Sequence, residues 1–342
     1  MLPSTIHTFA EDHGLPQYRV NQAVEAVVKK GIQKWSDLST WSKELREEAE
    51  RSIPLQTLSV HKILVSSQKN AVKAALKTRD GNIIETVLMQ PKPDDAWTTC
   101  ISSQVGCAMA CTFCATGKLG LMRNLSAEEI ADQVLFWIQY MHEHNLGERP
   151  NNIVYMGMGE PLNNWKEVDE SIRLLTSTYG YGDRHISVST SGIVVMIPKL
   201  AKAWPQVNLA ISLHAANDDD RSALMPVNRS FNLSKLQDAL KQYFEITNRK
   251  VFLEYILLDK INDTPKHARD LGKFIEGINK PQLLHVNLIV YNKTKSDYSE
   301  TPRDHAQQFL NLLKRMGISA TIRKNLGRDI AGACGQLAGE KQ

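Results

Sequence analysis

From residue 98 onward, short apolar runs rich in β-branched residues alternate with longer stretches whose apolar positions recur every three or four residues. The short runs fall at 98–103, 152–157, 185–190, 207–213, 251–258, 284–290 and 318–323. They read as strands, and the stretches between them as amphipathic helices. Helix starts are marked as well. Ser126 with Glu129, and Ser234 with Gln237, form capping-box pairs, and Thr301-Pro302 sets a cap and a first-turn proline ahead of 303–316. Regular alternation of strand and helix argues for a parallel sheet with helical crossovers. Six or seven such units are too few to close an eight-stranded barrel. The expectation is an α/β fold, an open TIM-like (β/α)6 partial barrel.

The chain before residue 98 has two other patterns. QYRVNQAVEAVVKKG sets Val20, Ala23, Val24, Val27 and Val28 at helical spacing and stops at Gly31. WSDLSTWSKELREEAERSIP is charged, helical in pattern, and ends at Pro54. Residues 1–55 are therefore expected to form a small helical accessory domain. TLSVHKILVSS and AVKAALKTRDGNIIETVLMQ alternate and carry β-branched residues, with Asp80-Gly81 as a hairpin turn. A β-hairpin segment is expected within 56–97, closed by the loop at 91–97. The remainder, 98–342, is the partial barrel, with a cysteine-bearing loop near its C-terminal end.

Chemistry-bearing residues fall where the strands end. Cys107, Cys111 and Cys114 form CxxxCxxC, three thiols in one short loop after the first barrel strand. A closed structural zinc site or an ordinary iron–sulfur site takes four protein ligands. Three leave one metal position open, unless Cys100 or a nearby His completes a zinc site. GMGEP (157–161) follows the second strand, STSG (189–192) the third, SLHA (212–215) the fourth, and Tyr291-Asn292 the sixth. In βα folds the carboxyl ends of the strands share one face, and active sites are built there. Turn chemistry explains one or two such clusters well, and all five poorly. Two cysteines remain. Cys100 lies seven residues before the trio and reads, in isolation, as a small buried hydrophobe. Cys334 lies in DIAGACGQLAG, whose small residues Ala331, Gly332, Ala333 and Gly335 suit a mobile loop that offers a thiol to a substrate.

Composition narrows the setting. Of 342 residues, 42% are hydrophobic and 23% charged, which puts the chain among ordinary globular proteins. No run of about 18 apolar residues occurs, so no membrane span is expected. The start, MLPSTIHTFAEDHG, lacks the basic and apolar regions of a signal peptide. Five cysteines, three of them in one motif, do not suggest a secreted disulfide framework, and a cytoplasmic location is expected. A net charge of +4 permits a nucleic-acid partner without requiring one.

The form CxxxCxFC, with Phe113 before the last cysteine, resembles the cluster loop of radical S-adenosylmethionine (SAM) enzymes. Together with CISSQVGC, GMGEPL, STSG, ISLHA, MPVN, VNLI and ACGQLAG, it makes the chain from about residue 60 onward resemble the RlmN/Cfr family of RNA adenosine methyltransferases. The resemblance implies a radical SAM partial barrel, a [4Fe–4S] cluster on Cys107, Cys111 and Cys114, and two SAM molecules per turnover. Gly159, Glu160, Ser189, Ser212, Leu213, His214 and Asn292 are the expected SAM contacts, with Glu160 accepting from the amino group and the serines and Asn292 meeting the ribose or carboxylate. Cys334 resembles the cysteine that becomes methylated, Cys100 the cysteine that resolves the intermediate, and Glu85, in ETV, a catalytic glutamate. Adenine carbon 2 is electrophilic and closed to ordinary SN2 transfer. A radical on the Cys334 methyl group would reach it, and Cys100 would then free the product through a transient disulfide.

The expected partners are 23S rRNA, the anticodon region of tRNA, and an electron donor such as flavodoxin or ferredoxin; a monomer is expected. Lys118, Arg123, Arg323, Lys324 and Arg328, with Arg19, Lys29, Lys30 and Lys34 near the N-terminus, are candidate phosphate contacts. Methylation at carbon 8, which confers resistance to ribosome-targeting antibiotics, is the alternative. GMGEPLNN leans to the carbon-2 branch and HVNLIVYN to the carbon-8 branch. The third reading is a zinc-stabilised RNA-binding protein without activity.

Overall fold

The structure, a computed structural model, describes residues 3–294 and 296–338. Three helices open the chain: α1 (Pro3–Asp12), α2 (Gln17–Val28) and α3 (Lys43–Ser52). The apolar stripe of α2 is buried at Val20, Ala23, Ala26, Val27 and Val28. Three strands follow: β1 (Ser59–Val65), β2 (Ala71–Lys77) and β3 (Ile83–Met89). They form an antiparallel meander. The hairpin expected around Asp80-Gly81 is therefore present, and β1 is a third strand beside it. The segment does not pack beside the barrel but continues its sheet, because β3 pairs antiparallel with β4 (Thr98–Cys100). That pairing satisfies a strand edge that would otherwise be open.

Seven parallel strands carry the barrel, in the order β4, β7 (Asn152–Tyr155), β8 (Ile186–Thr190), β9 (Asn208–Ser212), β10 (Val251–Leu257), β11 (Leu284–Val290) and β12 (Ala320–Ile322). A small ribbon, β5 (Gln104–Gly106) with β6 (Leu121–Asn124), brackets the cysteine loop. The crossovers are α4 (Ala127–Glu143), α5 (Trp165–Ser177), α6 (Ile197–Ala203), α7 (Asp218–Leu224) with α8 (Leu233–Ile246), α9 (Pro265–Glu276) and α10 (Arg303–Arg315). The sheet ends at β1 and β12, so the barrel stays open. Burial alternates along β7, β8 and the first half of β11, so one face of these strands joins the core and the other is less covered. Ile153, Val188, Leu209, Leu253 and Leu288 are all fully buried.

Helix starts follow local chemistry, with two shifts from expectation. Ser126 and Glu129 make a full capping box on α4. The next helix to carry the expected signal, α8, is capped by Asn232, whose side chain accepts from Lys235 N, and Ser234 lies inside it. Starting there lets Leu233 join Leu236 and Leu240 on the buried face. Thr301 does not cap α10. It is buried, and its hydroxyl donates to Asp263 Oδ2 at 2.9 Å, leaving Pro302 at the cap.

Nearly all of α4 is buried, because the N-terminal helices cover its outer side. Gln139 Nε2 donates to Ile32 O at 2.7 Å, and a Cβ on Gly31 would sit 3.2 Å from Ile138 and His142. Its inner side reaches the sheet, where Trp137 Nε1 donates to Thr86 Oγ1, which donates in turn to Cys100 O. The strands β2 and β3 are also buried on both faces. Residues 327–338 help to cover the second face, lying against β2 and β3. Among the described residues, no helix is long and apolar enough to cross a membrane.

Candidate active site

All five cysteines line one cavity at the carboxyl ends of the strands. The cysteine loop is built by close approaches that only glycine permits. A Cβ on Gly106 would lie 1.9 Å from Gly120 O, and Cys107 N donates to that same oxygen at 2.9 Å. A Cβ on Gly117 would lie 2.9 Å from Cys111 O. Thr112 N then binds Leu224 O at 3.0 Å, and Ala115 N binds Gly335 O at 2.8 Å. The loop is thus pinned to α7 on one side and to the C-terminal segment on the other.

The three thiols line one wall of the cavity and lie close enough to raise one another's pKa. Three thiolates from one loop leave one position of a four-iron cluster without a protein ligand. Burial pushes the Cys107 thiol up to about 12 and raises Cys111 further, and neighbouring thiols and Glu160 add to the shift. Without a cation these sulfurs stay protonated, and ligation to iron supplies the charge that makes them thiolates. The residues present fit a [4Fe–4S] cluster with one iron left for a small ligand.

The second strand end supplies Glu160. Gly159 before it has φ +102, and a Cβ there would meet Gln104 Cβ at 2.6 Å. The loop therefore lies flat on Gln104, whose Oε1 accepts from Glu160 N at 2.8 Å. Glu160 Oε1 accepts from Leu162 N and Oε2 from Ser191 N, at 3.0 and 2.6 Å. Burial still raises its carboxyl pKa, the backbone donors opposing. Ser189 and Ser212 face each other across β8 and β9, with hydroxyls 3.4 Å apart. His214 has φ +58, and its Nδ1 accepts from Ile256 N at 3.1 Å. Burial, with Arg221 nearby, lowers its pKa to about 3, so the ring is neutral and its remaining proton is on Nε2. Gly159, Glu160, Ser189, Ser212 and His214 all line the cavity.

Three expected site residues stand outside that lining. Leu213 is fully buried, and its carbonyl accepts from Arg221 Nε. Asn292 donates from Nδ2 to Cys334 O at 3.2 Å, supporting the loop from behind. Glu85 is buried on β3, paired with Lys73 Nζ at 2.7 Å, and accepts from Ala338 N. Cys100 and Cys334 do line the cavity. Cys100 is buried at the end of β4, which raises its pKa strongly, the nearby Cys334 adding to the effect. Cys334 keeps much of its surface open, but that opening faces a cavity walled by protein. Burial therefore raises its pKa too, against the pull of Arg323.

Arg323 is the residue whose role the sequence did not reveal. Its guanidinium is 3.1 Å from Glu254, which also accepts from Asn287 Nδ2 at 2.9 Å. Burial opposes its charge, but Glu254 and the two thiols raise its pKa overall. The signal was a lone acidic residue, Glu254, within the apolar run VFLEYILL. Arg123 and Arg328, expected at phosphates, are held by carboxylates instead. Arg123 binds Asp80 and Glu129, which keeps the Asp80 carboxyl far below its ordinary range, and Arg328 pairs with Glu300. Near the N-terminus, Lys29 pairs with Glu25, and Arg19 binds Gln22 and the Thr40 carbonyl. Lys30, Lys34, Lys118 and Lys324 are exposed, and Lys324 borders the cavity.

Residues 101–271 match the model of the radical SAM superfamily. A probable dual-specificity RNA methyltransferase RlmN from Enterococcus faecalis is 41% identical over 330 residues, covering 95% of this chain and 91% of the relative. The protein of the same name from Staphylococcus epidermidis is 41% identical over 334 residues, covering 97% and 89%. Among solved structures, a radical SAM methyltransferase from Sphaerobacter thermophilus superposes with a TM-score of 0.91 at 37% identity, covering 98% of this chain and 97% of that one. With the cysteine loop and strand-end residues already described, these likenesses settle the family: the chain belongs to the radical SAM superfamily and, within it, to the RlmN family of RNA methyltransferases.

Proposed function

We propose that this radical SAM methyltransferase modifies carbon 2 of an adenosine in 23S rRNA, and of the adenosine beside the anticodon in tRNA, with Cys334 carrying the methyl group. One observation supports this most. The cavity that holds the cluster cysteines also holds two further thiols, Cys100 and Cys334, that a cluster does not need. Cys107, Cys111 and Cys114 are assigned to the [4Fe–4S] cluster. Gly159, Glu160, Ser189, Ser212 and His214 are assigned to SAM, with Leu213 and Asn292 supporting from behind. When bound, the cluster and SAM supply the methyl group and the one-electron chemistry that an electrophilic ring carbon requires.

The chain's own residues do the rest. Cys334 must lose its proton to accept a methyl group, and Arg323 favours the thiolate against the effect of burial. Glu254 holds Arg323 in place from β10. Cys100 is buried at the end of β4, where burial raises its pKa strongly and favours the thiol. Once the Cys334 sulfur is joined to RNA, Cys100 loses its proton and attacks that sulfur. The S–S bond forms, the S–C bond breaks, and its electron pair remains on the methyl carbon, which takes up a proton. Two electrons from a donor such as flavodoxin or ferredoxin restore both thiols. The target base must leave its stack to enter the cavity. Lys324 at the rim and Lys118, Lys30 and Lys34 elsewhere on the surface are the candidate phosphate contacts.

We assign 1–55 as an RNA-facing accessory unit, 56–97 as a strand segment that extends the sheet, and 98–342 as the catalytic unit. A monomer acting in the cytoplasm fits five unpaired cysteines. The test is Cys100→Ala. Given SAM, reductant and RNA, this variant is expected to accumulate RNA that stays on the protein in a denaturing gel. Free multiple turnover by Cys100→Ala would refute the two-cysteine route.

A further inference from the structure

The cysteine loop hangs from the β5–β6 ribbon, and that ribbon carries two apolar side chains in solvent. Leu121 and Met122 open β6 and are 40% and 55% exposed. Successive residues of a strand face opposite sides, so a ribbon lying on a core would bury one of the two. Here the pairing register shifts between Val105 and Gly106, and both side chains stay in water while Val105 is buried. Their place beside the cavity is fixed. Leu121 pairs with Gly106, the residue before Cys107, and Cys107 N donates to Gly120 O at 2.9 Å. The apolar pair therefore stands where the cluster loop closes, next to the cavity wall to which Cys107 and Thr116 contribute.

The ribbon is held stiffly. Arg123 binds Asp80 of the β2–β3 turn through Nε and Nη2, at 2.6 and 2.9 Å. It binds Glu129 of α4 through Nη1 and Nη2, both at 2.8 Å. Such bidentate pairs fix orientation as well as distance. Gln104 Nε2 donates across the ribbon to Asn124 Oδ1 at 2.8 Å. Asn164, just before α5, donates from Nδ2 to Ser103 O and Leu125 O, the residues that flank the ribbon. Core packing gains nothing from Leu121 and Met122, yet three separate elements brace the strand that presents them.

Size and position say what covers the pair. A stable protein partner buries roughly 800 Å² on each side, and two half-exposed side chains supply far less. Wedging apart a base step takes only one or two apolar side chains. The target base must leave its stack to enter this cavity, and its stacked neighbour is then left at the cavity mouth. Lys118, exposed at the same end of the loop, suits the phosphates of that strand.

We propose that Leu121 and Met122 form a wedge that takes the place of the target adenosine in the RNA stack, packing on the neighbouring base while the adenosine enters the cavity. They are positioning residues, touching the neighbour and not the reacting carbon. A stiff ribbon suits the role, because a support already held in its bound geometry loses little freedom on binding. The proposal rests on RNA being the substrate, and its test separates the two.

The test uses 2-aminopurine, a base whose fluorescence brightens on unstacking, placed next to the target adenosine in an RNA hairpin. Reconstituted enzyme is added without SAM, and binding is followed in parallel by filter retention. At saturating protein, wild type should raise the signal about threefold or more. The double variant Leu121→Ser with Met122→Ser should still retain the hairpin but raise the signal less than about half as much. The double variant Leu121→Met with Met122→Leu keeps two apolar side chains and should keep the rise. Iron content, and SAM cleavage driven by dithionite without RNA, should match wild type in both variants. An undiminished rise in the serine variant would overturn the proposal. So would a fall in its iron content, which would make the pair a support of the cluster loop. Loss of flavodoxin-driven SAM cleavage with the RNA signal intact would also overturn it, by giving the surface to the electron donor. If wild type fails to retain the hairpin at all, the RNA reading itself falls and the wedge with it.

Discussion

Arg221, on α7, is a fully buried charge, and its removal gives a worked test of how the site is held together. Nη2 donates to Ser191 O at 2.7 Å, Nη1 to Asn228 Oδ1 at 2.7 Å, and Nε to Leu213 O at 3.2 Å. One guanidinium therefore ties the ends of β8 and β9 to the turn after α7, and the same helix anchors the cysteine loop through Leu224 O. Arg221→Met would fill the space but leave at least two short-bonded acceptors unpaired. Each costs about 1–3 kcal/mol when buried. Some of that is offset, because burial has already lowered the Arg221 pKa to about 10 and no carboxylate forms a direct ion pair with it among the described residues. A net loss of about 2–4 kcal/mol is expected. In urea unfolding of the cluster-free chain this is a drop in midpoint of about 1 M. Arg221→Lys should recover less than half, since an ammonium cannot reach three divergent acceptors. A midpoint for Arg221→Met within about 0.3 M of wild type would refute the reasoning.

Other consequences follow from the same contacts. Gly159→Ala forces a side chain into φ +102 and within 2.6 Å of Gln104, so it should displace Glu160 and weaken SAM binding at least about tenfold in equilibrium dialysis of the reconstituted enzyme. Wild-type affinity would show that the loop has slack. His214 has a folded pKa near 3 against 6.5 when free, so below 6.5 the unfolded chain takes up a proton that the folded chain refuses. Its contribution is complete above pH 6.5 and is lost as pH falls from 6.5 toward 3, by up to about 4 kcal/mol. His214→Asn keeps an acceptor and tolerates positive φ, so its stability should fall less steeply than wild type between pH 7 and 4; parallel curves would contradict the buried neutral ring. Cys111→Ala should lower bound iron well below the about four per chain expected of a full cluster, while Cys334→Ala should leave iron content unchanged and abolish product.

What could be read in the sequence was what depends on neighbours in the chain. The cysteine spacing, the capping box at Ser126 and the Asp80-Gly81 turn each work within a few residues. The strand-end clusters were legible because βα alternation fixes where strand ends gather. What escaped depends on contacts between distant segments. Arg221 sits in NDDDRSA, which reads as a surface salt-bridge helix, and only its carbonyl partners mark it as buried. Arg323 looked like a phosphate contact because nothing local ties it to Glu254, 69 residues away. The α8 start was expected at Ser234, and the burial of Leu233 moves it to Asn232. Continuous burial of β2 and β3 required knowing that residues 327–338 lie over them.

The most direct test of the account is nucleoside mass spectrometry. Anaerobically reconstituted enzyme is given SAM, a reductant and unmodified 23S rRNA, and the RNA is digested. The account predicts 2-methyladenosine from wild type and none from Cys334→Ala. A product of 8-methyladenosine would move the chain to the carbon-8 branch. No methylated adenosine, from protein shown to carry its cluster, would contradict the central claim that this cavity delivers a methyl group to adenine.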